Sequence, residues 1–199
     1  MKYLIGLVAA LAIIAGSALT ARSLTIAALT DQTSIFDDFE QTDSLWLFSD
    51  KIGSPAASGL ERAKVAIGGP LGLSAKEAVY FIALTDSDGD RLASECTYQV
   101  AGAPIDTRWW SLTLYDSMTQ HYVSNEDNRS SWNSASIPRS TEGNWQLTVS
   151  PNRQQGSWLP SQEARGQPFE LVLRVYNPSD ATRAALPNIT LPDVVRLSC

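Results

Sequence analysis

The sequence predicts a mainly β protein: an antiparallel, jelly-roll-like sandwich with one short packing helix, preceded by an N-terminal transmembrane or signal helix. Several segments alternate apolar and polar residues with a period of two, and turn-forming Gly, Pro, Asn and Asp separate them. The N-terminal run is long and uncharged. With 199 residues, the chain has room for one domain with its own hydrophobic core.

The N-terminal segment is predicted to be a membrane anchor or a secretory signal. Residues 3–21 carry no charge, and as a helix they would extend about 28 Å, close to the thickness of about 30 Å of a bilayer core. The alternative is a signal peptide cleaved near the small residues 16–18. Lys2 on the inner side orients the rest outward. We therefore expect a bacterial inner-membrane protein whose domain faces the periplasm, or a protein released there after cleavage.

Charge patterning divides the chain into three parts: an anchor or signal over 1–22, an acidic linker over 23–49 and a β domain over 50–199. Between Arg22 and Lys51 every charged side chain is acidic. Such a run is typical of a solvated spacer that lipid headgroups repel. A cation or partner site at these acids is the alternative.

The domain is predicted to begin with a helix over Ser54–Ile67, because Pro55 suits a first turn and the glycines and proline at 68–70 end it. Strands follow. In the third predicted strand, Trp110 points to the inner face of the sheet, whereas Trp109 and Tyr115 point to the opposite face. The predicted strands lie at residues 78–84, 95–100, 109–115, 145–149 and 169–175.

Charge and composition exclude several function classes. A net charge of −6 argues against nucleic-acid binding, because no basic surface would displace counterions from phosphates. One histidine and two cysteines exclude zinc-finger spacings, so no metal or cofactor is predicted. In the acidic run Asp86–Asp90 the glycine comes fourth rather than sixth, which favours a tight turn over a calcium loop, the alternative.

No complete catalytic set is visible, because His121 is the sole histidine and no serine stands in a Gly-x-Ser-x-Gly run. We therefore expect a non-catalytic ligand- or protein-binding module. The alternative is a hydrolase or lyase acting on a small or carbohydrate-like substrate. Aromatic and basic side chains supply the candidate binding residues, since such groups stack on rings and anchor partners. They are Trp109, Tyr115, Arg108, Arg174, Trp158 and His121.

Several runs resemble the DUF1214 family and occur in the family's order. They are AVYF at 78–81, TDSDG at 85–89, WSLTLYD at 110–116, WLP at 158–160 and FELVLRVYNP at 169–178. The resemblance covers roughly residues 50–197 and is to the short, N-terminally anchored bacterial form. It implies a β-rich, jelly-roll-like domain and no established reaction. Longer members carry a DUF1254 domain, so it also implies a DUF1254-type partner.

The two cysteines are predicted to form a disulfide. Cys96 lies on a predicted strand and Cys199 is the last residue, so a bridge would fix the terminus to the sheet. An oxidising periplasm favours this pairing, and the short relatives that the chain resembles share both positions. Two unpaired thiols are the alternative.

Overall fold

The described part of the computed structural model comprises residues 2–30, 39–68, 72–161 and 166–199. Within these residues the chain is mainly β, as predicted, and its strands form two sheets. Its helices are α1 (Lys2–Thr30), α2 (Gly59–Gly68) and the short α3 (Asp180–Ala184).

The larger sheet has six antiparallel strands in the order β1-β2-β3-β9-β5-β6. These strands are β1 (Glu40–Gln41), β2 (Trp46–Ser49), β3 (Ala78–Ala83), β5 (Thr107–Asp116), β6 (Ser131–Asn133) and β9 (Phe169–Pro178). The long strand β9 therefore lies at the centre, between β3 and β5, where a strand is covered on both edges.

The smaller sheet has four strands in the order β10-β4-β7-β8, of which β7 and β8 run parallel. They are β4 (Thr97–Gly102), β7 (Trp145–Ser150), β8 (Trp158–Pro160) and β10 (Asp193–Ser198). All five predicted strand segments are confirmed as β3, β4, β5, β7 and β9.

The two sheets enclose one hydrophobic core built from alternate residues of each strand. Leu112 and Leu173 from the larger sheet and Val100 from the smaller are fully buried. Across the core, the rings of Trp110 and Trp145 lie 4.6 Å apart between centroids. The predicted inward position of Trp110 is thus confirmed.

The predicted linker differs from the structure at both ends. Helix α1 continues to Thr30, and β1 and β2 belong to the larger sheet. Trp46 is fully buried, and its indole N–H donates to the carbonyl of Pro192 at 2.7 Å. Residues 31–38 lie outside the described part. Strand β2 was not predicted, because the acidic composition of this segment is typical of a linker. Its alternate residues Trp46 and Phe48 enter the core.

The predicted helix over Ser54–Ile67 is shorter in the structure, because α2 begins at Gly59. Its start is fixed by a reciprocal pair: the N–H of Glu61 donates to the hydroxyl of Ser58, and the N–H of Ser58 donates to the Glu61 carboxylate. This capping box places the first turn after Ser58 and leaves residues 54–57 as turns.

Helix α1 is long and apolar enough to cross a membrane by length and composition. The apolar span runs from Ile5 to Ala28, 24 residues with a mean hydropathy of 1.8. It overlaps the predicted run 3–21 from Ile5 onward and continues beyond it to Ala28. Helix α1 contacts α2, and Ala28, close to its end, is half-buried, whereas the other described side chains of α1 are exposed. The C-terminal end of α1 therefore meets α2.

The acidic run Asp86–Asp90 forms the predicted tight turn. One carboxylate oxygen of Asp86 accepts the N–H groups of Asp88 and Asp90, at 3.1 and 3.0 Å, and Gly89 adopts a φ of 88°. The other oxygen of Asp86 lies 3.1 Å from the guanidinium of Arg196, on β10. Hydrogen bonds and this ion pair account for the buried carboxylate.

The predicted disulfide is confirmed: Cys96 and Cys199 are bonded. Cys199 follows directly on β10, and Cys96 directly precedes β4, the strand with which β10 pairs. The bridge closes a loop with a sequence separation of 103 residues. It therefore fixes the end of the chain at one edge of the smaller sheet.

We expect Cys199→Ser to lower the free energy of unfolding by up to about 4 kcal/mol, because a cross-link of this length restricts the unfolded chain. Urea unfolding of the full chain in mild detergent, followed by tryptophan fluorescence, measures the change. Reduction should bring the wild type to the stability of the variant, and Ser198→Ala should match the oxidised wild type. Equal stability of the oxidised wild type and Cys199→Ser would contradict the prediction.

Candidate functional site

A cleft of about 920 Å³ lies on the face of the larger sheet that points away from the core. Strands β3, β5 and β9 form its floor, and the segment from Lys51 to Ala66, which includes most of α2, covers it. The floor residues are Tyr80, Ile82, Tyr115, Glu170, Val172 and Arg174. The volume falls within the range of about 300–1,000 Å³ that is typical of small-molecule sites.

The strand register assembles the floor. In β9, Leu171, Leu173 and Val175 enter the core, so the alternate residues point to the opposite face. Cross-strand pairing then sets Arg174 beside Tyr80 and Glu170 beside Tyr115. An outer sheet face is often solvated, but here Val172 and Glu170 are only 6% and 3% exposed.

Arg174 lies between two aromatic rings of the floor. Its guanidinium carbon is 5.8 Å from the ring centroid of Tyr80 and 5.2 Å from that of Tyr115. Its N–H groups donate to the hydroxyl of Tyr115 at 2.7 Å and to the hydroxyl of Thr113 at 3.3 Å. Two of five guanidinium donors are thus used within the described residues, and the rings hold the cation in one orientation.

Tyr115 contacts both Arg174 on the floor and Tyr122 at the rim of the cleft. The ring of Tyr122 stacks on it, with centroids 5.0 Å apart and an interplanar angle of 30°. Burial, followed by the hydrogen bond with Tyr122, raises the pKa of Tyr115 to about 12. Tyr115 therefore stays a neutral phenol at physiological pH.

Glu170 is a buried carboxyl group at the other end of the same strand face. Its Oε2 atom makes no hydrogen bond to the residues that the structure describes. Burial raises the pKa of Glu170 to about 7, although a hydrogen bond from Gln120 and the charges of Arg91 and Arg174 oppose the rise. A carboxyl group that titrates near neutrality inside a cleft marks a candidate functional residue.

A tight turn after β5 brings two further polar side chains to the cleft. Asp116 organises it by accepting the backbone N–H groups of Met118 and Thr119 at 2.8 and 2.9 Å. Gln120 adopts a φ of 59°, a left-handed conformation that costs a non-glycine residue about 1–3 kcal/mol. The turn thereby sets Gln120 beside Glu170 and His121 at the rim.

His121 has an assignable tautomer. Its Nδ1 atom lies 2.5 Å from the carbonyl oxygen of Thr119, which can only accept a hydrogen bond, so Nδ1 carries the proton. In the neutral ring Nε2 is then an acceptor.

Among the described residues that line the cleft, basic side chains outnumber acidic ones, in contrast to the chain as a whole. Among the described lining residues, the acids are Glu61 and Glu170, and the carboxylate of Glu61 is engaged in the capping box. The bases are Lys51, Arg62, Lys64 and Arg174. Because the whole chain carries −6, the basic excess is local to the cleft.

Three of the six predicted binding residues line this cleft: Tyr115, Arg174 and His121. Trp109 lies on the same face but packs against Tyr176, with centroids 5.2 Å apart and the ring planes tilted by 53°. The other two lie elsewhere.

Arg108 is exposed near the start of β5, outside the cleft lining. Trp158 belongs to the smaller sheet, is 7% exposed and donates its indole N–H to the carbonyl of Ser150 at 3.0 Å. Burial in β8 therefore places Trp158 outside the cleft, away from the predicted binding residues that line it.

Sequence reasoning missed Glu170, Gln120 and the covering segment. One signal was present: β9 is apolar along its inner face but carries Glu170 and Arg174 at alternate outer positions. A long, mostly apolar strand is expected to be central in its sheet. Charged residues on its outer face therefore indicate a specific polar site there.

Comparison with known families assigns the chain. The model of the DUF1214 family, described as a protein of unknown function, matches residues 77–180. The chain belongs to the DUF1214 family. The matched region runs from β3 to the start of α3 and includes the cleft floor, whereas the covering segment lies before it.

Two solved structures share features with this DUF1214 chain. The VPA0106 protein from Vibrio parahaemolyticus is 23% identical with a TM-score of 0.57, over 69% of this chain and 35% of its own. An uncharacterised protein from Burkholderia cenocepacia is 14% identical with a TM-score of 0.43, over 67% and 33%. The chain thus spans about a third of each, and the first likeness supports the fold. No curated protein sequence matches the chain.

We expect Glu170→Gln to stabilise the protein at high pH by up to about 3 kcal/mol. The folded-state pKa of about 7 exceeds the ordinary value of 4.5. The folded chain therefore binds more protons than the unfolded chain between these values, and the free energy of unfolding falls as pH rises through this window. The neutral amide does not titrate.

Urea unfolding of the full chain from pH 4.5 to 8 measures the difference, which should grow with pH up to about 7.5. The exposed Glu95 offers a matched control, since Glu95→Gln should keep the wild-type pH dependence. A constant difference between Glu170→Gln and wild type over this range would show that Glu170 titrates at its ordinary pKa.

Proposed function

We propose that this DUF1214 protein is a binding module that holds a small organic anion with an apolar body in the cleft. Arg174 carries the proposal: its cation is fixed between two rings, and its nearest described polar contacts are hydroxyl groups. A ligand carboxylate would give this guanidinium a charged partner, and such charge-assisted hydrogen bonds are strong and oriented.

The charge of the lining supports an anionic ligand. Lys51, Arg62 and Lys64 add to Arg174, and Glu170 is half protonated near neutral pH. An anion would thus enter a locally positive cleft on a negatively charged protein, which favours it over a cation.

The remaining lining supports an apolar ligand body. Ile82 and Val172 lie between the polar groups of the floor, and Ile52, Ala57 and Val65 face them from the cover. Mixed linings of this kind, apolar with a few convergent polar groups, are typical of small-molecule sites.

Calorimetric titration of the full chain in phosphatidylcholine nanodiscs tests the proposal with hexanoate and 1-hexanol as probes. We expect hexanoate to bind about tenfold more tightly than the alcohol, because a hydrogen bond to a charged group contributes about 1.5–3 kcal/mol. Arg174→Met should abolish that preference.

Arg108→Met is the matched control, because it removes an exposed arginine of the neighbouring strand β5 that lies outside the cleft. It should bind hexanoate as the wild type does. Equal affinity of the wild type for hexanoate and 1-hexanol, or an unchanged preference in Arg174→Met, would refute the proposal.

A second candidate function, a hydrolase or lyase, is favoured by one observation: Glu170, with a pKa of about 7, can hold or release a proton inside the cleft. His121 adds an acceptor at the rim. Turnover that disappears in Glu170→Gln while hexanoate still binds would separate this function from binding alone.

We propose further that α1 anchors the domain in the inner membrane with the cleft in the periplasm. The apolar span from Ile5 to Ala28 and the disulfide, which an oxidising compartment favours, support this location. Protease added to spheroplasts should degrade the domain, whereas intact cells should protect it. Protection in spheroplasts until the membrane is lysed would place the domain in the cytoplasm instead.

A further inference from the structure

The cleft is structurally continuous with the N-terminal apolar helix. The C-terminal end of α1, near the half-buried Ala28, contacts α2, and α2 covers the cleft. Phe39, close in sequence to the end of α1, also lines the cleft. If α1 crosses a bilayer, these contacts hold the cover of the cleft near the membrane surface.

The apolar residues that line the floor and the cover of the cleft are positioned to pack against a chain of methylene groups. Ile82 and Val172 are cross-strand neighbours on the floor between Arg174 and Glu170. Ile52 and Val65 belong to the covering segment. Burying methylene groups between two such layers contributes about 0.8 kcal/mol each, so the cleft favours a ligand with a long apolar part.

We propose that the ligand is a long-chain carboxylate drawn from the adjacent membrane: a single-chain amphiphile whose carboxylate pairs with Arg174 and whose acyl chain packs between floor and cover. This proposal rests on the proposed function and names its ligand class. The locally basic lining selects the anionic headgroup, and the contact of α1 with α2 gives the ligand a short path from the bilayer.

Photolabelling of the full chain in phosphatidylcholine nanodiscs tests the proposal. The probe is palmitic acid with a diazirine on its chain, and mass spectrometry locates the labelled peptides. We expect label on peptides that contain Ile52, Val65 and Val172. An excess of palmitate should remove this label, whereas 1-hexadecanol should need about a tenfold higher concentration to do so.

Two variants locate the ligand. Val65→Trp fills the cleft from the cover, and Arg174→Met removes the cation without filling it; each should reduce labelling of the cleft peptides about tenfold. Val195→Trp is the matched control, because Val195 is exposed on β10, in the other sheet. It should label as the wild type does.

Three outcomes would overturn the proposal: label confined to α1, which indicates partition into the bilayer alone; equal competition by 1-hexadecanol; or undiminished labelling in Arg174→Met. Hexanoate binding that depends on Arg174 without palmitate labelling would overturn this proposal and leave the proposed function standing. Failure of both probes would overturn both.

Discussion

The pairing of β9 with β3 and β5 determines which side chains of the larger sheet enter the core and which line the cleft. Because β9 is central, its inner residues, such as Leu173, enter the core, and its outer residues form the floor of the cleft. A slip of one residue would exchange these faces, placing Glu170 and Arg174 in the core and exposing the leucines. The core therefore fixes the register, and the register in turn fixes the spacing of the polar groups in the cleft.

The segment from Lys51 to Ala66 covers the outer face of the larger sheet, and the space between them is the candidate site. Burial raises the pKa of Glu170. The rings of Tyr80 and Tyr115, both on the floor, flank the cation of Arg174. A buried carboxyl group without a full set of hydrogen bonds and a left-handed Gln120 both cost stability. A fold that keeps such features near one cleft is consistent with a binding role for that cleft.

The sequence predicted the features that depend on local pattern. Period-two alternation located β3, β5 and β9 and the inward face of Trp110, and the compartment and the family resemblance predicted the Cys96–Cys199 bridge. Predictions from the sequence were wrong or incomplete where tertiary packing determines the structure. The acidic composition of residues 23–49 did not indicate the strand that buries Trp46, and no local pattern shows that a segment distant in sequence covers the cleft floor. The start of α2 could be predicted from the sequence, because Ser58 followed by Glu61 three residues later is the pattern of a capping box.

A carboxyl ¹³C NMR titration of the full chain, assigned with Glu170→Gln, measures the burial of Glu170 in the cleft. We expect a midpoint near pH 7 that moves when hexanoate occupies the cleft, because a bound anion changes the charge and the solvation around this group. A midpoint near 4.5 that hexanoate does not change would show that Glu170 is a solvated carboxylate remote from the ligand, which would contradict both its burial and the proposed binding site.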